Sequence, residues 1–277
     1  MNRLPIEARV RILGMLTEGM SMRATSRLAD VSINTVTKLL VDVGTACDVY
    51  QNEKLRNLSC KRVQVDEIWS FIGMKEKNVP PMRRDEVGCG DVYTWVAIDA
   101  DTKLVASWLV GPRNVECSKV FIKDLASRLA GRIQLTSDGY SPYPDAVDDA
   151  FVGKVDYGML VKTYRANADG KQSDYKYSPG ECCGATKTPI NGNPDEKHIS
   201  TSYVERQNLT MRMHMRRFTR LTNGFSKKMA NHACAVALHY MFYNFAKIHK
   251  TLRVTPAMQA GITDRVWSLE EIAELAD

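Results

Sequence analysis

Three carboxylates stand out by where they fall. Asp66 lies inside a β-branched and aromatic run, RVQVDEIWSFIG, and Asp138 closes the run RIQLTSDG just before a glycine. Glu205 opens SYVERQNLTMRMHMRRFTR, a segment with five arginines and no other acid. Carboxylates without a histidine or thiolate partner suit a hard, oxygen-seeking cation, Mg²⁺ or Mn²⁺. Two such ions about 3.5–4 Å apart can activate a water or a hydroxyl and stabilise the leaving oxygen of an in-line phosphoryl displacement. The arginines supply the other requirement, a hold on phosphates. At helical spacing Glu205, Asn208, Arg212 and Arg216 fall on or near one face, and Arg217 and Arg220 continue the basic run.

Each acid also has an ordinary structural reading. A strand aspartate can be a hydrogen-bonded turn partner, Asp138-Gly139 a plain turn, and Glu205 a first-turn acid that favours the helix dipole. The functional reading rests on their joint placement with the basic helix. Strand alternation aims Glu67 away from Asp66, so Glu67 is expected outside the site. Asp99 and Asp101 fall at a hairpin end, and Asp145, Asp148 and Asp149 read as solvated helix charges. The adjacent Cys182-Cys183 pair does not match zinc-ligand spacing, so no zinc is expected. No glycine-rich loop joins a Lys-Ser/Thr pair, which argues against ATP use.

For the acids to meet, strands and helices must bring together residues separated by 71 and 66 positions. The pattern from residue 62 onward supplies this: three strands, a helix at about 116–130, a fourth strand, a helix at about 142–150, a fifth strand, then the basic helix. That order predicts a ribonuclease-H-like α/β fold, a mixed five-stranded sheet with helices on both faces, in which the first and fourth strands are neighbours. The catalytic domain is expected over 62–250, with an insertion loop at 165–200 and a tail at 251–277. A helix of about 20 residues is expected after Ser226.

Residues 1–50 read differently. Helices begin near Pro5, after Ser21 and after Ser32, with a short turn before the third. This is the arrangement of a helix-turn-helix DNA reader. Asn34, Thr35, Thr37 and Lys38 then stand near the start of the third helix, where base edges and phosphates are met. Residues 51–61 are expected to be a linker.

The 277 residues carry a net charge of +6, unevenly spread. Residues 201–250 hold nine Lys/Arg against one acid, while 61–200 hold 19 against 20. Such concentration points to a polyanion partner. No apolar run is long enough to span a membrane, and seven scattered cysteines suit reduced thiols, hence a cytoplasmic protein.

The segments VDEIWSFIG (65–73), TSDGYSPY (136–143), STSYVERQNLTMRMHMRRFTRLTNGFSKK (200–228) and YNFAKIHKTLRVTPAMQAG (243–261) resemble the insertion sequence one (IS-one) family of DNA transposases, within the DDE superfamily. The resemblance covers most of residues 60–261 and implies a catalytic and metal-binding triad at Asp66, Asp138 and Glu205. It departs from the family in lacking a cysteine-rich zinc segment at the start and in the wide second gap. The expected activity is binding of an element's terminal inverted repeats, followed by metal-dependent strand cleavage and transfer. Double-stranded DNA is the expected partner and a homodimer or larger assembly the working form. A nonselective metal-dependent nuclease and a non-catalytic DNA-binding regulator are the alternatives. Selective end binding by residues 1–50 separates the first, and the intact acids disfavour the second.

Overall fold

Strand β1 (Arg62–Ile72) organises the fold because it is paired on both sides. The computed structural model describes residues 3–83, 88–164, 182–219 and 222–277. Antiparallel β2 (Gly90–Asp99) runs along the whole of β1, and β3 (Val105–Gly111) follows through the turn at Asp101-Thr102. On the other side β4 (Ile133–Ser137) is parallel to β1, followed by β5 (Val155–Tyr164). The sheet order is β3-β2-β1-β4-β5-β6, so the sheet has six strands where five were expected. The sixth, β6 (Cys182–Asn191), comes from the expected insertion loop and pairs antiparallel with β5. Residues 165–181 of that loop lie outside the described residues.

Helices α4 (Val115–Arg128) and α5 (Tyr143–Phe151) cover one face, where Trp95 packs against Phe121 and Tyr143. Helix α6 (Ser202–His214) crosses β1 and β2 on the other. The long apolar helix expected after Ser226 is α7 (Met229–Met241), continued by one π-helical turn, Phe242–Ala246. Ser226 does not cap it. Its hydroxyl instead meets His232 Nδ1 at 2.8 Å and accepts from Arg217 at 3.0 Å.

Residues 6–54 form three helices packed onto this sheet domain. Helices α1 (Ile6–Thr17) and α2 (Met22–Ala29) precede α3 (Ile33–Lys54), with Ser21 and Ser32 accepting from the backbone N–H of Ala24 and Thr35 as N-caps. The α3 helix runs through the first part of the expected linker, and Leu55, Leu58 and Cys60 beyond it are buried. It lies along α7 so closely that a Cβ on Gly44 would stand 2.4 Å from the Cys234 carbonyl oxygen. The segment expected as a tail contributes α8 (Pro256–Gln259) and α9 (Leu269–Glu274), and α9 packs on α1. No helix among the described residues is long and apolar enough to cross a membrane.

Candidate metal centre and cationic groove

Register brings the first two acids together. Parallel pairing sets Val63 against Leu135 and Gln64 against Thr136. The same offset, continued past the end of the ladder, sets Asp66 level with Asp138. Because β4 stops at Ser137, β1 has no strand beside it on that side at Asp66. Carboxylate side chains can therefore turn into the gap. Asp138 Oδ1 accepts the Tyr140 N–H at 3.0 Å, which fixes its turn.

Glu205 is brought close by a tie that the sequence reading did not identify. The buried Gln64 side chain accepts the N–H groups of Tyr203 (2.8 Å) and Val204 (3.2 Å), anchoring the start of α6 to β1. Gln64 and Asp66 share a strand face by alternation, and that spacing was the available signal. One turn further along α6, buried Asn208 donates from Nδ2 to Asp66 Oδ2 at 2.8 Å. Asn208 was expected to contact DNA; it instead holds the first aspartate.

Glu205 does not close the cluster. Its Oε1 accepts from Lys162 Nζ of β5 and from Thr201 Oγ1 at 2.5 Å. The acid that joins Asp66 and Asp138 is Glu67, and one oxygen of each of the three lies within 4.8 Å of the others. This corrects the expectation that Glu67 stands apart. Alternation does send it to the α4/α5 face, opposite Trp95 across the β1–β2 ladder. With β4 ended, however, its longer side chain reaches Asp138 from beneath. The Glu67 side chain is 2% exposed, and its Oε2 accepts from Arg113 Nε at 3.2 Å. Arg113 Nη2 stands 3.9 Å from Asp138 Oδ2, and the guanidinium carbon lies 3.9 Å over the Tyr140 ring.

The electrostatics are those of crowded like charges. Burial first, then the charges of Glu67 and Asp138, push the Asp66 carboxyl up to about 7. Burial likewise raises Glu67, although the nearby Tyr143 hydroxyl and Arg113 act the other way. Glu67 Oε1, Asn208 Oδ1 and the Tyr143 hydroxyl are buried with no well-formed hydrogen bond. An all-oxygen donor set with unsatisfied lone pairs fits a hard divalent cation.

The basic residues divide. Arg216 is exposed. Arg217 turns inward, donating to Ser226 Oγ and to the Asn231 carbonyl at 2.9 Å, and burial lowers its pKa to about 10. It supports folding where a DNA contact was expected. Arg212 is half-buried on α6, and Arg220 lies outside the described residues. On α3, Asn34 and Lys38 are exposed, with Lys38 paired to Asp42. The Thr35 and Thr37 hydroxyls bond locally, to Ser32 Oγ at 2.9 Å and to the Ile33 carbonyl at 2.8 Å. Between α3 and the segment after α6 runs a groove of about 780 Å³. Arg23, Thr37, His214, Arg216 and Lys227 line it, and among the described residues no aspartate or glutamate does.

No family model and no curated protein matches the chain. Among solved structures, it aligns with a Mos1 transposase paired-end complex with left transposon end at 14% identity, over 55% of this chain and 58% of that one, with a TM-score of 0.24. A piggyBac transposase synaptic complex with hairpin DNA aligns at 11% identity, over 98% of this chain and 69% of that one, with a TM-score of 0.40. The chain thus spans about three fifths of the length of the Mos1 chain. Likenesses this distant assign no residue and no activity, and the resemblance to the insertion sequence one family rests on its motifs.

Proposed function

We propose that this protein is a DNA transposase of the DDE kind, acting on the ends of an insertion sequence. One observation carries the reading: the β1–β4 register sets Asp66 level with Asp138 at an open sheet end, in a carboxylate cluster whose donors are all oxygen. A bound divalent cation would supply a polarised water or hydroxyl and charge neutralisation at the phosphorus. The chain's own residues do the rest. Asp66 and Asp138 would hold the cation, Asn208 and the Tyr140 N–H fix their carboxylates, and Gln64 keeps Glu205 on its helix beside them. The cationic groove begins at His214, nine residues after Glu205, or about 13 Å further along a helix. A DNA backbone lying in it would pass from the start of α3, the proposed reader of ends, toward the acids.

The test is strand cleavage and joining on a duplex carrying the inverted repeats that flank the reading frame, with Mg²⁺ and with chelator. Cleavage at the repeat boundary followed by joining supports a transposase. Equal cutting of unrelated duplex without joining would identify a nuclease instead.

A further inference from the structure

We infer that Glu67 is a cation ligand of this site, and that Arg113 is the internal cation an entering ion must displace. The inference rests on the reading of the cluster as a divalent-metal centre, but not on the triad that reading names. Three observations lead to it. The oxygens that stand together belong to Asp66, Glu67 and Asp138, while Glu205 is engaged by Lys162 and Thr201. The Glu67 side chain is 2% exposed, yet its one well-formed hydrogen bond is from Arg113 to Oε2; Oε1 is buried without one, beside the Tyr143 hydroxyl. The Asn208 amide, fixed at the cluster through Asp66, likewise leaves a buried oxygen without a donor.

A purely structural ion pair would be built differently. Buried carboxylate–arginine pairs gain most when both oxygens meet the guanidinium fork, because an unpaired buried oxygen carries its full desolvation penalty. Here Arg113 takes one oxygen of Glu67 from the side and extends toward Asp138 at 3.9 Å, held flat by the Tyr140 ring. One protein cation is thereby shared between two carboxylates that would bracket a metal ion. A divalent ion among the three acids and a guanidinium against two of them compete for the same negative charge.

Direct binding tests this without reference to activity. Mn²⁺ is titrated into the full chain at fixed pH, and free Mn²⁺ is read by electron paramagnetic resonance, for wild type, Glu67→Gln, Glu205→Gln and Arg113→Gln. Outer-shell partners of a metal typically contribute 10–100-fold in affinity, so loss of a direct ligand in Glu67→Gln should weaken Mn²⁺ by at least about tenfold. Glu205→Gln should weaken it less, and Arg113→Gln should tighten it. If Glu67 merely braced the site through Arg113, Arg113→Gln would weaken binding as well, and that result overturns the inference. So does unchanged affinity in Glu67→Gln while wild type binds Mn²⁺. If wild type binds no Mn²⁺ at all, the metal-centre reading fails and this inference with it. Should Glu67→Gln not fold, Glu67→Asp keeps the charge for Arg113 while withdrawing it by one methylene, and weaker Mn²⁺ binding is again expected.

Discussion

Charge is arranged in opposite ways at two places in this molecule. On α1, Arg9 is 4% exposed and donates to the Ala273 carbonyl and to Asp277 Oδ1 at 2.7 Å, joining the first helix to the last. Arg3 pairs with the same carboxylate, and the hydrogen bond from Arg9 chiefly lowers the Asp277 pKa. Beside β1, just past the end of β4, the clustered charges are of like sign, and a half-exposed Arg113 only partly offsets them. The first arrangement is what stability asks of a buried charge. The second costs stability, and it is the arrangement expected where a positive ligand is bound.

Asp66→Asn breaks the contrast most strongly. A carboxyl raised in the folded state binds its proton more tightly there than in the unfolded chain. Stability is therefore full below the ordinary carboxylate range and falls as pH rises through about 7. A rise from 3.8 to about 7 corresponds to roughly 4 kcal/mol in the limit. In chelator, Asp66→Asn should match wild type near pH 4 and exceed it by an amount on the order of 2–4 kcal/mol above pH 7. Urea denaturation across that pH range checks this, and a constant difference would remove the crowded-charge account of Asp66.

The Arg9 clasp should respond the other way. Arg9→Met is expected to cost about 1–3 kcal/mol, from the loss of hydrogen bonds made by a buried charged group. It should leave DNA cleavage at its wild-type rate once the protein is folded. Thermal melting alongside the cleavage assay reads both, and lost activity in a stably folded Arg9→Met would couple the two regions.

The smallest effect sharpens the same distinction among the arginines. Exposed Arg216→Ala should make the slope of log K against log[salt] for duplex DNA shallower by about 0.9, because one phosphate contact is lost. Inward-turned Arg217→Ala should leave the slope unchanged and lower the melting temperature. The reverse pattern would show that their assignments here are exchanged.

Much of the sheet domain was legible in the sequence because its cues are local. Alternating strands, helix caps at Ser21 and Ser32, and the Asp138-Gly139 turn each act within a few residues. What was not legible depends on where elements end. The place of Glu67 follows from β4 stopping one residue before Asp138, and the parting of Glu205 from the cluster follows from Lys162 lying on a strand two positions away from β1 in the sheet. Asn208 and Arg217 look like DNA contacts on a basic stretch until the surrounding chain claims their side chains. The β6 strand escaped because it is an edge strand exposed along nearly its whole length, so it has no buried face to impose alternation, and its edge position accommodates Pro189. The first 60 residues showed their helices plainly, but not that α3 continues to Lys54 and lies along α7, which rests on the close approach at Gly44.

If the crowded acids form a metal-dependent DNA-cutting centre, cleavage of an end-containing duplex with Mg²⁺ should separate wild type from Asp66→Asn and Asp138→Asn. Wild type should cut with Mg²⁺ and stop in chelator. Each variant, shown to be folded by its melt, should lose at least about a thousandfold in rate, equivalent to roughly 4 kcal/mol of transition-state stabilisation. Mg²⁺-dependent cutting at the wild-type rate by a folded Asp138→Asn protein would contradict the account.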